Sequence, residues 1–427
     1  MNPNCRPVGQ SLALLFLLGF AVRLVVAHLL LGGLGRTFDG DESAYAGMAL
    51  RLIEGMGFVD NRGNSTSVLG PAVPLLVAIP TALLGPQIAG IRVFMCLIEA
   101  LLVPVCYLLG RSLAGSRKVG LTAAAIAVFF PTWIVPSGAV MTDIPAAVLI
   151  ALLVWLLVEG LRRESLLWMA GSGLVWGIAI LTRAVSLSYA PAIIVWLLLV
   201  MPGWKMRFGA IAMVMISAAV LVAPWSMRNT YVHGTFVLTS TQGGHELNRG
   251  NNPMATGILA YDHTYFSENL EQRYPREQYV NEARRSSLYQ ADAVNFISEN
   301  PGRFIELCFI RFIELWKLYS PRVPLIASLA VIGSFGVALP FFLIQVVRRG
   351  WQRGPEMLLL LIIACHTAVH VVYTSIVRYR VPIEPLLITM AIQGFYWLWS
   401  SLSVERAISQ TTMARVVAQQ IRRGLNW

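Results

Sequence analysis

Long apolar runs broken by short polar stretches recur along the whole 427-residue chain. A helix that crosses a bilayer needs about 20 consecutive apolar residues. About ten stretches approach that demand: 11–31, 90–110, 119–135, 144–161, 166–182, 186–201, 208–224, 323–346, 356–374 and 381–400. The first is too long for the apolar part of a cleaved leader and lacks a small-residue cleavage site, so it predicts a retained helix. Residues 70–85, "GPAVPLLVAIPTALLG", are apolar but short, and Pro71, Pro74 and Pro80 each remove a backbone donor. They predict a re-entrant or membrane-resting segment.

Two stretches have the helical period without the length to span. In 42–56, Tyr45, Met48, Ala49, Leu52, Ile53 and Met56 recur at i, i+3, i+4, i+7, i+8 and i+11, an amphipathic helix in the first outer loop. In 303–319, Arg303, Glu306, Arg311, Glu314 and Lys317 share one arc, which predicts a helix lying in the interface with its other face in lipid.

Composition agrees. The hydrophobic fraction is 56% and mean hydropathy +0.64, too apolar for a soluble chain. The fold class expected is therefore an all-α polytopic membrane protein of about ten transmembrane helices. Its units would be 1–224 with the outer loop 32–89, an outer loop region 225–322, the helices of 323–403 and a basic tail 404–427. Cys96, Cys106, Cys308 and Cys365 lie in apolar stretches and read as small hydrophobes.

The net charge of +11 sorts by side. With the N-terminus in the cytoplasm, Arg111, Arg117, Lys118, Arg162, Arg163, Lys205, Arg207, Arg348, Arg349 and Arg353 fall inside, as does the tail. Both termini are thus expected in the cytoplasm of a cell (inner) membrane protein. Arg183, Arg228, Arg249, Arg378 and Arg380 break the rule by lying outside, which suggests an anionic partner there. No nucleic acid is expected.

Acids are equally conspicuous. "TFDGDESAY" at 37–45 crowds Asp39, Asp41 and Glu42 where the chain leaves the first span, although only 13% of residues are charged. Asp41 falls at the expected N-cap of the amphipathic helix, so capping and a general base held at the membrane surface are both open readings. Asp143, in "MTDIPAAVL", falls at the outer end of another span; it too could be a cap. Arg23, Arg92 and Glu99 lie within spans, where a structural pairing between helices is expected at least as much as a functional role.

Together these residues resemble the polyprenyl-phosphate-dependent C-type glycosyltransferases, in the branch of protein O-mannosyltransferases and lipid A aminoarabinose transferases. "DESAY" resembles that family's Asp-Glu-x-x-Tyr motif. "MTDIPAAVL", "GIAILTRAVSLSYAP", "APWSMRNTYVHGTFVLTSTQGGHELNRGNNP" and "RYRVPIEPLL" follow in order. The resemblance implies an integral membrane glycosyltransferase that moves a sugar, with inversion, from a polyprenyl-phosphate donor to a hydroxyl of a lipid, glycan or protein acceptor at the extracytoplasmic face. It places the catalytic acids at Asp41, with Glu42 beside it, and at Asp143. Tyr45, Arg62, Arg183, Arg228, Arg249, Arg378 and Arg380 become candidates for holding donor and phosphate, with the "RYR" of 378–380 the leading clamp and Arg62 the weakest. The second outer loop has no D-x-D, so no cofactor is expected, although Asp41, Glu42 and Asp143 could together hold a divalent cation. Rival readings are a flippase for a lipid-linked anion and a lipid-linked glycan ligase or polymerase.

Overall fold

Proline and length decide how the apolar runs become helices in this computed structural model, which describes residues 8–258, 271–275, 281–318, 325–350 and 352–403. Among the described residues there is no strand, only an isolated bridge between Val59 and Ser65. Seven helical stretches are long and apolar enough to cross a membrane: Val8–Leu30, Ile88–Ala114, Asp143–Arg162, Trp204–His233, Ser328–Arg349, Pro355–Val372 and Val377–Ser403. Three shorter apolar helices accompany them, Ala72–Leu84, Leu166–Thr182 and Ala184–Val200. The chain is an all-α, multi-pass membrane protein.

Some boundaries differ from those expected. The run 119–135 is divided into Arg117–Phe129 and a turn at Pro131–Ile134. Pro131 disfavours helical backbone at the residue before it, and Phe130 is extended with ψ 118°. The run 208–224 continues to His233, 30 residues in all and about 45 Å at 1.5 Å per residue. It outruns a hydrocarbon core of about 30 Å, so the helix projects from the membrane. The division expected at 224/225 therefore falls inside one helix, which ends only where Gly234 takes a left-handed conformation. Residues 70–85 form the helix Ala72–Leu84, about 20 Å long and too short to cross. The amphipathic helix runs Gly40–Ile53, and Met56 lies beyond it, exposed. These two short helices meet through Ala49, Val73 and Val77, with Ile91, Met95 and Val140 in the same apolar cluster.

Lipid and protein faces separate clearly. The first span exposes Leu14, Leu17, Leu18, Val25 and Leu29, and Trp204–His233 exposes Phe208, Ile216 and Val220. Asp143–Arg162 and Val377–Ser403 are instead mostly buried and pack on one another at the centre of the bundle. The expected interfacial helix is Pro301–Trp316. Its apolar face, with Ile305, Phe309 and Phe312, is exposed as expected, but Arg311 on its charged arc is buried. That guanidinium donates to the carbonyls of Val371, Val372 and Gly250 and to Asn251, locking the helix to the last spans. The basic tail 404–427 lies outside the described residues.

Candidate active site

Helix direction brings distant residues to one end of the bundle. Asp143 lies in the first turn of Asp143–Arg162, and Arg183 follows the C-terminus of Leu166–Thr182, its packing partner. Arg378 opens the stretch Val377–Ser403. The Arg183 guanidinium donates to Asp143 at 2.7 Å and to Thr142 at 3.3 Å, while Arg378 reaches the other Asp143 oxygen at 3.5 Å. One carboxylate, 5% exposed, thus holds two guanidiniums, of which Arg378 is about half exposed. Asp143 makes no side-chain cap on its own helix.

Asp41 and Tyr45 enter from the surface helix Gly40–Ile53, four residues apart and so on one face. The N-cap is Asp39 rather than Asp41, and no side chain caps this helix. Asp41 is exposed and has no hydrogen-bond partner among the described residues. Tyr45 is near both the acids and the guanidiniums. Burial pushes its phenol up to about 12; Asp41 and Asp143 push the same way, and Arg183 and Arg378 oppose them. Asp41, Asp143, Arg183 and Arg378 are therefore all near enough to Tyr45 to act on its charge, and the five residues form one cluster.

The other residues singled out in the sequence sit elsewhere or have other partners. Glu42 is taken by Arg92 in a two-pronged pair at 2.9 and 3.2 Å and accepts the Val140 amide at 2.9 Å. It anchors the loop that leads to Asp143. Deeper in the bundle, Glu99 accepts the Gly138 amide of that same loop, and Arg23 donates to the carbonyls of Gly19 and Ala127. Arg228 donates to the carbonyls of Thr66 and Phe58 and to Ser67, pinning the segment 58–67 to the projecting helix. Arg62 is exposed on the same segment, where only its backbone amide is engaged, by Asp60.

Arg380 requires a correction. Expected as part of the leading phosphate clamp, it is fully buried, pairs with Glu384 at 3.0 Å and lies 3.7 Å over the Phe335 ring. It also donates to the Leu315 carbonyl. Glu384 in turn accepts from Thr132 and from the Trp133 indole. Arg380 is part of the protein interior, not of the pocket.

Arg249 pairs with Glu246 at 3.3 Å on the short helix Gln242–Gly250, and Glu246 also accepts from Thr374. Burial pushes Glu246 up, but the His245 contact and the Arg249 charge outweigh it and hold the carboxyl below its usual range. Burial lowers His245, with Glu246 opposing. The glycines flanking Arg249 serve packing rather than a ligand. A Cβ at Gly244 would fall on the Ser286 carbonyl, and one at Gly250 on the Tyr373 carbonyl.

Sequence reasoning passed over Tyr379 and Glu246. The Arg183 guanidinium stacks 4.9 Å over the Tyr379 ring, whose other neighbour is His370 at 4.8 Å. The Tyr379 carbonyl accepts from His366 Nε2 at 2.7 Å, which leaves Nδ1 to accept from the Tyr189 hydroxyl, also at 2.7 Å. This buried relay fixes the backbone of "RYR". An aromatic between two arginines was the available signal for Tyr379, and an acid three residues before Arg249 was that for Glu246.

Comparisons with known proteins bear on the fold. The family model for dolichyl-phosphate-mannose-protein mannosyltransferase matches residues 68–227. No curated protein sequence matches the chain. Among solved structures, the archaeal oligosaccharyltransferase AglB of Archaeoglobus fulgidus, in complex with an inhibitory peptide and a dolichol-phosphate, superimposes with TM-score 0.61 at 13% identity. That match covers 95% of this chain and 52% of the other, so the chain spans about half the length of this relative. ArnT of Cupriavidus metallidurans, in the apo state, gives TM-score 0.56 at 15% identity over 94% of this chain and 64% of that one. The resemblance read in the sequence is thereby borne out at the level of the fold: the chain shares the fold of AglB and ArnT, and its residues 68–227 match the mannosyltransferase family model.

Proposed function

We propose that the protein is a membrane glycosyltransferase that moves a sugar from a polyprenyl-phosphate donor to an acceptor hydroxyl, with inversion, at the extracytoplasmic face. The observation that carries this reading is the cluster in which Asp143 holds Arg183 and Arg378, with Tyr45 and Asp41 near it. It brings an uncommitted carboxylate and two guanidiniums to one end of the bundle, the charges such a transfer needs.

Asp41 is the base. As the acceptor oxygen attacks the anomeric carbon, the bond from that carbon to the phosphate oxygen breaks, and the hydroxyl proton passes to the Asp41 carboxylate. Its exposure and lack of a partner leave it free to take the proton. Negative charge grows on the departing phosphate. Arg183 and Arg378 stand ready to hold it, because guanidiniums already oriented lose little by reorganising as that charge develops. Asp143 does the orienting, a positioning role rather than that of a second base. Tyr45, kept protonated, donates from the pocket wall. Glu42 holds the loop before Asp143 through Val140.

The reading needs no divalent ion. Asp143 is paired with two arginines and Glu42 with Arg92. The dolichol-phosphate seen with AglB supports a lipid phosphate as the donor's carrier in this protein.

The test is Asp41→Asn in membranes supplied with radiolabelled polyprenyl-phosphate sugars. Transfer should fall by about 10²–10⁴-fold while donor binding persists. Undiminished transfer removes Asp41 as base. Lipid movement across the membrane without sugar transfer by the unaltered protein would identify a flippase.

A further inference from the structure

A cleft of about 570 Å³ opens on the far flank of the helix Gln242–Gly250, outside the pocket of Asp41 and Asp143. Three features define what it would hold. Asp292, Asn295, Phe296 and Glu299 recur at i, i+3, i+4 and i+7 on Glu282–Glu299, so one helical face presents an amide, two carboxylates and an aromatic ring together. Arg273 and Arg303 face them, the former 3.5 Å from Asp292, so the lining carries two positive and two negative charges and suits neither a polyanion nor a polycation. Asn248 is 2% exposed and lines the cleft, and its side-chain oxygen has no hydrogen-bond partner among the described residues. A buried acceptor left without a donor is destabilising, and an occupant with a hydroxyl group would satisfy it.

Amides, paired charges and a ring edge around a polar, electrically balanced cleft are the chemistry that recognises a polyhydroxylated ligand. Many weak donors and acceptors meet its hydroxyls, and an apolar surface meets its C–H face. We propose that this cleft binds a saccharide, and that the saccharide is part of the acceptor. The second half rests on the transferase reading; the first does not. Asn248 lines the cleft from the helix Gln242–Gly250, and the same helix carries Glu246, which accepts from Thr374, four residues before Arg378.

The experiment uses the full chain in lipid nanodiscs and a panel of neutral tetra- to hexasaccharides of glucose, mannose, galactose and N-acetylglucosamine. Binding is read by saturation-transfer NMR and transfer by labelled donor. At least one panel member should bind, and Asn295→Ala and Glu299→Gln should each weaken it by about fivefold. Both sites are exposed, so folding is not at stake. Asp41→Asn should keep this binding while losing transfer. Saccharide binding that the cleft variants weaken, in a protein that transfers to none of the panel, keeps the binding site and overturns the acceptor assignment. Transfer to a saccharide with KM unchanged in both variants overturns the cleft and leaves the transferase reading standing. No binding by any saccharide, or binding of a hydroxyl-bearing peptide in their place, overturns the proposal.

Discussion

Arg378 and Arg380 stand two residues apart in one tight turn, and their surroundings could hardly differ more. Arg378 is about half exposed and shares Asp143 with Arg183 at the mouth of a pocket. Arg380 has no exposure, lies over Phe335 and pairs with a carboxylate that is itself fully buried. The first is a charge whose field reaches outward to whatever enters. The second is held by Glu384 and the Leu315 carbonyl and, although its Nη2 makes no hydrogen bond among the described residues, it is shut off from whatever enters. Guanidiniums near a membrane surface are thus not one class, and what each can do depends on whether it is exposed.

Substitution should separate the two sharply. Arg380→Ala leaves Glu384 buried with its countercharge gone, and removing one partner of such a pair costs about 3–5 kcal/mol. The expected result is a large drop in apparent melting temperature in detergent. Arg378→Ala should move the melting temperature less, since Arg378 is about half exposed and Asp143 keeps Arg183 as its partner. The double change Arg380→Met with Glu384→Leu sharpens the point, because an apolar replacement of a buried pair is often neutral. Recovery of stability in the double variant is the outcome expected. A melting temperature equally low in single and double variants would mean that the stranded Glu384 charge is not what destabilises Arg380→Ala.

The next effect in size is catalytic. Arg183 is less exposed than Arg378, closer to Asp143 and stacked on Tyr379, so its guanidinium is the better oriented of the two. Arg183→Ala should lower transfer by about 10²–10³-fold, the scale for losing one preorganised donor to a developing anion. Arg183→Lys should recover only part, since a point charge cannot hold Asp143 and a phosphate in one plane. Labelled-donor assays at saturating acceptor check both. Equal activity in Lys and wild type would mean that charge alone suffices and that the stacking on Tyr379 is incidental.

How much of the molecule was readable from its sequence follows the same division. Spans, the surface helix at the first outer loop and the helix at 301–316 came from periodicity and length, which burial and lipid impose directly on sequence. Helix ends were less legible. Nothing local in residues 208–224 announces that the helix continues to His233, because its last turns are held by Ser67 and the Thr239 carbonyl, which are distant in sequence or contributed by a folded-back loop. At the site, Asp41, Asp143 and the outside arginines could be picked out because each breaks a composition rule. Which arginine faces the pocket could not, since two positions in a tight turn carry the same residue type. Glu42 was read as a partner of Asp41 in chemistry, whereas it is a partner of Arg92 in structure, 50 residues away.

A smaller effect concerns the short helix Gln242–Gly250. Glu246 is held below the usual carboxylate range in the folded protein, so folding is favoured above the unfolded value and that contribution disappears as pH falls through the folded one. His245, lowered by burial, adds in the same direction: the folded state resists its protonation, and stability is lost as pH falls below about 6.5. Acidification should therefore destabilise the wild type in two steps. Glu246→Gln should abolish the more acidic step and cost about 1 kcal/mol at neutral pH through the weakened contacts to Arg249 and Thr374. Melting temperatures from pH 3 to 7.5 read both steps. An unchanged acid limb in the variant would place the loss elsewhere, among the exposed carboxylates.

The smallest expected change concerns Tyr45, beside the exposed one of the two arginines. Tyr45 is pushed up to about 12 by burial, with Asp41 the next cause. A raised folded value means that the neutral phenol is preferred in the native state. Its contribution is complete below the ordinary tyrosine value of about 10 and is lost as pH rises from there towards 12. Phenylalanine cannot ionise, so Tyr45→Phe should flatten the alkaline fall in melting temperature between pH 9.5 and 11.5 while shifting stability by less than about 0.5 kcal/mol at pH 7. Adding Asp41→Asn to the wild type should flatten the same limb in part, because it removes the second cause and leaves burial. If neither variant alters that limb, Tyr45 is solvated and at its ordinary value, and the pocket holds water where a dry wall between acid and guanidinium is required.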